Sequence, residues 1–136
     1  MENPLVSVVI TTYSRPDHLC GAIDSVLAQT YSPIEIIVVD DNGIGTEYQI
    51  ATEQALKEHI EKEKITYLRH DINRNGSAAR NTGLKASKGQ YINFLDDDDA
   101  LLPNKIEAQV SLLEKSESVV GAAYCNMLLT GSNYQI

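Results

Sequence analysis

The sequence predicts a single α/β domain in which helices cover both faces of a mainly parallel sheet. Short apolar runs rich in β-branched residues alternate with helical patterns along the chain, and most of these runs show little apolar–polar alternation. Continuous apolar runs are typical of strands that helices bury on both faces. Strands that alternate with helices favour parallel pairing through right-handed crossovers. No internal repeat or long linker divides the 136 residues.

In the first half of the chain, two buried strands alternate with two helices. Residues 6–11 (VSVVIT) form a β-branched run, and Pro16 suits the first turn of the helix that follows. Apolar residues on one face continue this helix to Thr30. Residues 34–39 predict the second strand. A polar helix over about 46–62 comes next, and its charges are expected to form a solvated face.

The second half repeats the alternation. Residues 65–70 predict a short third strand, and a loop then leads into a helix over about 78–87. Residues 90–95 (QYINFL) predict the fourth strand. Pro103 opens another helical pattern, and the apolar residues 119–124 predict a fifth strand.

The charge of the chain excludes two classes of partner. There are 19 acidic and 11 basic residues, which give a formal net charge of −8. Nucleic-acid binding depends largely on Lys and Arg, so a phosphate-backbone binder is not expected. Docking on an anionic membrane surface is disfavoured for the same reason. The acidic net charge still allows a phosphorylated ligand to bind if a metal cation supplies positive charge at the site.

The chain carries no pattern for secretion or membrane insertion. Its start lacks the basic and apolar regions of a signal peptide, and no apolar run approaches the roughly 20 residues of a spanning helix. Cys20 and Cys125 show no metal-ligand spacing, and both are expected to be small buried residues in a reducing compartment. We therefore expect a cytoplasmic protein, either free or at the cytoplasmic face of the membrane.

Polar side chains follow three of the expected strands, at the point where each strand ends. These are Thr11, Thr12 and Tyr13 after the first strand, Asp40 and Asp41 after the second, and residues 96–99 (DDDD) after the fourth. In parallel sheets, ligands bind beyond the carboxyl ends of the strands. All of these side chains are therefore expected along one edge of the sheet.

The four acids at residues 96–99 are the most informative cluster. Adjacent carboxylates repel one another, and a bound cation would relieve that repulsion. Asp96 and Asp98 point to the same side of an extended chain, and hard carboxylate oxygens suit Mg²⁺ or Mn²⁺. A solvated acidic turn that caps the next helix is the alternative. A calcium-binding EF-hand loop is excluded because Ala100 stands where a ligand is required.

Other side chains near this edge each allow two interpretations. Tyr13 could stack on a nucleobase or pack half-buried. Asp41 could accept a hydrogen bond from a base N–H or cap the next helix. Arg74 and Arg80 could neutralise a diphosphate or be ordinary surface charges. The turn at Gly76 could present backbone N–H groups to an anion, although glycine turns are common.

The sequence lacks the markers of several other functional classes. It contains no Gly-x-Ser-x-Gly, Walker A or Gly-x-Gly-x-x-Gly motif. A phospho-receiver domain would need an acid pair after the first strand, where Thr11 and Thr12 stand. A sugar nucleotidyltransferase would need a glycine-rich loop at that place. The three histidines share no metal-binding or catalytic spacing.

Five ordered blocks resemble family 2 glycosyltransferases. They are residues 6–15 (VSVVITTYSR), 25–31 (SVLAQTY), 35–41 (EIIVVDD), 75–81 (NGSAARN) and 94–99 (FLDDDD). Their order makes the resemblance specific, whereas an Asp-x-Asp motif alone would be weak. Ser14 replaces the more usual asparagine. The resemblance implies a GT-A fold, whose nucleotide-binding half is Rossmann-like, and a nucleoside-diphosphate-sugar donor, most often a UDP-sugar.

The resemblance also implies roles for particular residues. Those expected to bind the donor nucleotide or its sugar are Thr11, Tyr13, Arg15, Asp41, Gly76, Arg80, Asp96 and Asp97. Asp98 is the expected ligand of Mn²⁺ or Mg²⁺, and Asp97 stands at the position that varies in the family.

The implied reaction is inverting transfer of the sugar to an acceptor hydroxyl, with the metal stabilising the leaving diphosphate. A carboxylate general base is required, and in the family it lies in the half of the domain that follows. Residues 1–136 are thus expected to be one donor-binding domain that stops before the acceptor-binding part. The acceptor, a carbohydrate or a lipid-linked molecule, is not specified. The alternative is a nucleotide-sugar-binding module without catalytic activity.

Overall fold

The computed structural model describes residues 2–130, and it confirms the predicted parallel α/β architecture. The elements in chain order are β1 (Val6–Thr12), α1 (Pro16–Leu27), β2 (Ile34–Asp40), α2 (Glu47–Glu61), β3 (Thr66–Arg69), α3 (Gly76–Ala86), β4 (Tyr91–Asp96) and α4 (Lys105–Lys115). The strand order is β3-β2-β1-β4, and all three strand pairs are parallel. The carboxyl ends of the strands therefore lie at one edge of the sheet.

The central strand β1 is buried on both faces, which explains its continuous apolar run. Val8 and Ile10 pack in the larger core, where α1, α2 and α4 cover one face of the sheet. Val9 points to the opposite face and packs with Val39 and with Ala79 of α3. Helices on both faces are thus confirmed. β-branched side chains suit both packing surfaces because they fit a pleated sheet.

Local capping moves several helix boundaries from their predicted places. The Thr46 side chain accepts a hydrogen bond from the N–H of Gln49 (3.2 Å), so α2 begins one residue later than predicted. Asn75, whose φ is +74°, accepts from the N–H of Ala78 (3.1 Å). This cap starts α3 at Gly76, two residues earlier than predicted, and places Gly76 at the helix N-terminus.

The predicted fifth strand at residues 119–124 is not formed. This segment has no strand pairing, and Val119 and Tyr124 are 84% and 95% exposed. Its described contact with α4 is a hydrogen bond from Gln109 Nε2 to the carbonyl oxygen of Ala123 (3.3 Å). An apolar run becomes a strand only if a neighbouring backbone pairs with it. Cys125, expected to be buried, is exposed.

Within residues 2–130, no helix combines the length and the apolar character that crossing a bilayer requires.

Candidate functional site

A cleft of about 230 Å³ opens at the carboxyl ends of β1, β2 and β4, against the N-terminus of α3. Seven of the eight residues expected to bind the donor line it: Thr11, Tyr13, Arg15, Asp41, Gly76, Arg80 and Asp96. Thr12, Asn73, Asn75 and Ala79 complete the lining. The parallel sheet therefore brings together side chains that lie far apart in the sequence.

A second, larger cleft of about 320 Å³ runs along the outer edge of β4, between α4 and residues 121–123. Its lining consists of apolar residues and uncharged polar ones. We place the candidate site in the smaller cleft, because charged groups and strand ends converge there. The larger cleft has no charged side chain among the described residues that line it, so its size alone does not make it the candidate site.

The acids after β4 alternate between exposed and buried positions. Asp96 and Asp98 are half-exposed, whereas Asp97 between them is fully buried. Residues 97 and 98 form a turn, closed by a hydrogen bond from the backbone N–H of Asp99 to the carbonyl oxygen of Asp96 (3.1 Å). Arg80 Nη2 lies 2.7 Å from Asp96 Oδ1, and Arg15 pairs with Asp98. Asp96 and Asp98 therefore each face an arginine.

Asp97 supports the site from beneath and is not part of the cleft lining. Its Oδ2 accepts a hydrogen bond from the Thr12 hydroxyl (2.7 Å). Its Oδ1 lies 2.7 Å from Arg15 Nη2, close enough for an ion pair, although the angles do not suit a hydrogen bond. A carboxylate without solvent exposure has no surface to offer a ligand. In this structure Asp97 holds Arg15 and does not line the cleft, and the donor contact expected from the sequence stays a prediction.

Asp41 is held by the loop between β3 and α3. Its Oδ1 lies 2.7 Å from His70 Nδ1 and accepts from the backbone N–H of Arg74 (2.8 Å). Its Oδ2 accepts from Asn73 Nδ2 (3.0 Å). A carboxylate oxygen has two lone pairs, so Oδ2 retains capacity for one further donor. The Asp41 side chain is almost fully buried, and these hydrogen bonds hold it in one orientation at the wall of the cleft.

His70 is a buried histidine, and its partners show what it does in the fold. The Asp41 carboxylate can only accept a hydrogen bond. We therefore place a proton on His70 Nδ1, which donates the hydrogen bond to Asp41. His70 Nε2 lies 2.8 Å from the Thr82 hydroxyl on α3. This buried bridge ties the end of β2 to α3. No local motif signals it, since the partners are 29 and 12 residues away in the sequence.

Asp40, the neighbouring acid, is buried in a polar network. Its Oδ2 accepts from the Tyr67 hydroxyl (2.6 Å), and its Oδ1 accepts from the backbone and side-chain nitrogens of Asn42 (2.9 and 2.8 Å). Burial raises the pKa of Asp40, and these hydrogen bonds oppose the rise. Burial, together with the bond to Asp40, also raises the pKa of Tyr67. Asp40 is thus engaged within the fold and does not line the cleft.

Comparison with known proteins identifies the family. The family model described as glycosyl transferase family 2 matches residues 7–134. The chain belongs to this family. The glycosyltransferase domain is 41% identical over 123 residues to an uncharacterized glycosyltransferase of Rickettsia prowazekii, a match that covers 90% of this chain and 36% of that protein. It is 34% identical over 110 residues to the UDP-Glc:alpha-D-GlcNAc-diphosphoundecaprenol beta-1,3-glucosyltransferase of Escherichia coli, covering 81% of this chain and 41% of the relative.

A solved structure gives the same fold. The mannosyltransferase from Pyrobaculum calidifontis, determined in complex with GDP-Man and Mn²⁺, matches the glycosyltransferase domain with a TM-score of 0.72 at 22% identity. The match covers 88% of this chain and 34% of that protein. The GT-A fold expected from the sequence is therefore confirmed. The chain spans well under half the length of the two relatives from Rickettsia and Escherichia.

Proposed function

We propose that this domain binds the nucleoside-diphosphate-sugar donor of a metal-dependent, inverting glycosyltransferase, and that the donor is a UDP-sugar. The observation that carries the proposal is the cleft itself, which combines an aromatic ring, two arginines and the strand-end acids. The Escherichia coli relative, whose name specifies UDP-Glc, supports the choice of nucleotide. The Mn²⁺ in the mannosyltransferase complex supports the use of a divalent metal.

The base end of the donor is assigned to Thr11, Tyr13 and Asp41. The Tyr13 ring is 54% exposed and lines the cleft, so it offers a face on which a base can stack. Asp41 Oδ2 has room for one more donor, which the imide N–H of uracil would supply. The loop after β3 fixes Asp41, so little side-chain freedom would be lost on binding.

The diphosphate end of the donor is assigned to Arg80 and the N-terminus of α3, which also line the cleft. Arg80 and the N-terminus of α3 at Gly76 provide positive charge, because a helix N-terminus attracts anions. Asp96 is assigned to the ribose or the sugar. Arg15 and Arg80 now neutralise acids, and an incoming diphosphate would compete for both guanidinium groups.

Asp98 is assigned as the ligand of Mn²⁺ or Mg²⁺. It fits this role because its carboxylate is a hard oxygen donor and is 44% exposed beside the cleft. Within residues 2–130, no three Asp, Glu, His or Cys side chains converge on a possible metal position. Magnesium-like ions are commonly held by one or two carboxylates and by ligand phosphates, as assumed here. When bound, the metal would act as a Lewis acid toward the leaving diphosphate.

A nucleotide-sugar-binding module without transfer activity is the second candidate. Inverting transfer requires a carboxylate base that takes the proton of the acceptor hydroxyl. Both acids that line the cleft are already engaged, Asp41 with the loop after β3 and Asp96 with Arg80. Glu107 accepts a hydrogen bond from the Thr30 hydroxyl (2.7 Å), at the far end of α1 from the cleft. We therefore assign no base within this chain.

Thermal unfolding with UDP, GDP and dTDP, each with and without Mn²⁺, tests the proposal. Ligand at about 100 times its dissociation constant adds about 2.7 kcal/mol, which raises the Tm by several degrees for a domain of this size. We expect such a shift with UDP and Mn²⁺, and a much smaller one with UDP and EDTA. No shift with any nucleotide would contradict donor binding. Release of UDP from a UDP-sugar in the presence of Mn²⁺ would separate the enzyme from the binding module.

Arg15→Gln is expected to have opposite effects on the metal and on the nucleotide. Arg15 neutralises Asp97 and Asp98, so its loss should strengthen the binding of Mn²⁺ alone. It should weaken the binding of UDP with Mn²⁺, because a cation for the diphosphate is lost. Partly exposed ion pairs contribute about 0.2–1 kcal/mol, so each change should be about 1.4-fold to fivefold. Titration of free Mn²⁺ by electron paramagnetic resonance and titration with UDP measure the two changes.

Lys57→Gln is the matched control for Arg15→Gln. It removes the same charge from an exposed i, i+4 pair with Glu61 on α2. Neither Mn²⁺ nor UDP binding should change appreciably in this variant. If Arg15→Gln moves both affinities in the same direction, Arg15 does not stand between the metal and the diphosphate.

A further inference from the structure

We infer that Asn42 is a positioning residue for donor binding, because it fixes the loop that carries Tyr13 and Arg15. The inference rests on the proposed function, since it concerns the same cleft. Asn42 does not line the cleft and is 7% exposed. It acts through the loop between β1 and α1.

All polar groups of the Asn42 side chain are used. Nδ2 donates to Asp40 Oδ1 (2.8 Å) and more weakly to the Thr52 hydroxyl (3.4 Å). Oδ1 accepts from the backbone N–H of Ser14 (2.7 Å). The orientation of the amide is therefore determined, because a carboxylate only accepts and a backbone N–H only donates. Asn42 connects the end of β2 to a loop 28 residues earlier in the chain.

Ser14 needs such a connection because its backbone is strained. Its φ is +58°, in the left-handed region that non-glycine residues seldom adopt. Such conformations persist where the surrounding structure determines them. The start of α1 supplies no side-chain cap, since Arg15 stands at its N-cap without a capping hydrogen bond. The Asn42 amide therefore supplies a cross-strand contact to this turn, in addition to the ion pairs of Arg15 with Asp97 and Asp98.

The turn sets the direction of the two side chains that flank it. Tyr13 faces the cleft as the proposed stacking surface, and Arg15 reaches Asp97 and Asp98. Asn42 is itself anchored, because Asp40 also accepts from the Tyr67 hydroxyl on β3. A chain of hydrogen bonds therefore runs from β3 through β2 to the loop between β1 and α1. Sites in which the contacting groups are preorganised bind more tightly because less order is lost on binding.

Asn42→Ala tests the role with two readouts. We expect the affinity for UDP with Mn²⁺ to fall by about tenfold, since Tyr13 and Arg15 would then have to be ordered on binding. We also expect the amide proton of Ser14 to exchange faster with solvent, as measured by NMR. Asn42→Ser, whose hydroxyl cannot reach both Asp40 and Ser14, serves as a second variant if the alanine form does not fold.

Two controls separate positioning from a general loss of stability. Thr52→Ala removes the long third contact of Asn42 and leaves the Ser14 bond, so UDP affinity should stay unchanged. Val110→Ala loosens the core at α4, away from the cleft. Its affinity for UDP, measured well below its Tm, should match that of the unchanged protein.

The outcomes distinguish the two proposals. If the unchanged protein binds UDP and Asn42→Ala binds it equally well, the positioning role is wrong and the donor site stands. If the unchanged protein binds no nucleotide, the proposed function fails, and with it the role of Asn42 in donor binding. In that case, Ser14 exchange still shows whether Asn42 holds the loop. Unchanged exchange of the Ser14 amide in both Asn42 variants would overturn the inference on its own.

Discussion

Replacing Asp98 by alanine is expected to remove the metal-dependent part of nucleotide binding. In the proposed site, this carboxylate is the protein ligand of the cation, and ligand phosphates supply further oxygens. Without it, we expect the affinity for UDP in the presence of Mn²⁺ to fall by about 10- to 100-fold, or about 1.4–2.7 kcal/mol. The affinity in EDTA should change little. UDP titrations with Mn²⁺ and with EDTA measure the difference directly.

Asp99→Ala is the matched control, since it removes the same charge one residue further along. Asp99 is exposed, and its described contact is a backbone hydrogen bond to the carbonyl of Asp96 (3.1 Å). Its loss should leave the metal-dependent affinity nearly intact. If Asp99→Ala abolishes that affinity and Asp98→Ala does not, the wrong acid has been assigned. If both variants bind UDP with Mn²⁺ as the unchanged protein does, the metal proposal fails.

The parallel sheet was predictable because its strands have the sequence pattern of strands that are buried on both faces. The runs of β1 and β2 have apolar side chains on both faces, and only helices on both sides of a sheet accommodate that pattern. Boundaries were less predictable. The Asn75–Gly76 pair looks like a turn in sequence, yet Asn75 caps α3 through its side chain. A side-chain cap forms only if the following residues continue as a helix, and the two residues Asn75 and Gly76 alone do not specify this.

The missing fifth strand shows what an apolar pattern leaves undetermined. Residues 119–124 have suitable composition, but a strand also needs backbone partners at the right register. In the part of the chain that the structure describes, β4 pairs with β1 and residues 119–124 do not extend the sheet. The composition of a segment indicates whether it can be buried. Whether a neighbouring strand pairs with it depends on the tertiary structure.

The candidate site was predictable where the strand-end rule applies and unpredictable where loops supply the partners. Thr11, Asp41 and Asp96 lie at or just beyond the carboxyl ends of β1, β2 and β4, so the parallel topology alone brings them to one edge. Asn73 and His70 escaped the sequence analysis because their significance comes from Asp41, 32 and 29 residues away. Polar residues in loops carry no periodic signal, and only the folded contacts show which of them are engaged.

Gly83→Ala is expected to cause a large loss of stability. A β-carbon at this position of α3 would lie 2.2 Å from Val9 Cγ1 and 3.3 Å from Val39 Cγ2. Both valines are fully buried in the sheet and cannot move aside without disturbing the core. Overpacking of this kind costs about 1–3 kcal/mol. We expect the Tm to fall by roughly 4–12 °C for a domain of this size, as measured by circular dichroism.

Gly21→Ala is the control, because it makes the same substitution in an open environment. Gly21 lies on the exposed side of α1, and within residues 2–130 nothing beyond its own stretch of helix would come within 4 Å of an added β-carbon. Alanine has the higher helix propensity, so this variant should gain up to about 1 kcal/mol. A loss of stability for Gly83→Ala together with a gain for Gly21→Ala would show that close packing of α3 on β1 requires glycine at position 83.

Since α3 also carries Gly76 and Arg80 to the cleft, Gly83→Ala should weaken UDP binding as well. A Tm for Gly83→Ala at or above that of the unchanged protein would mean that α3 lies further from β1 than these distances indicate.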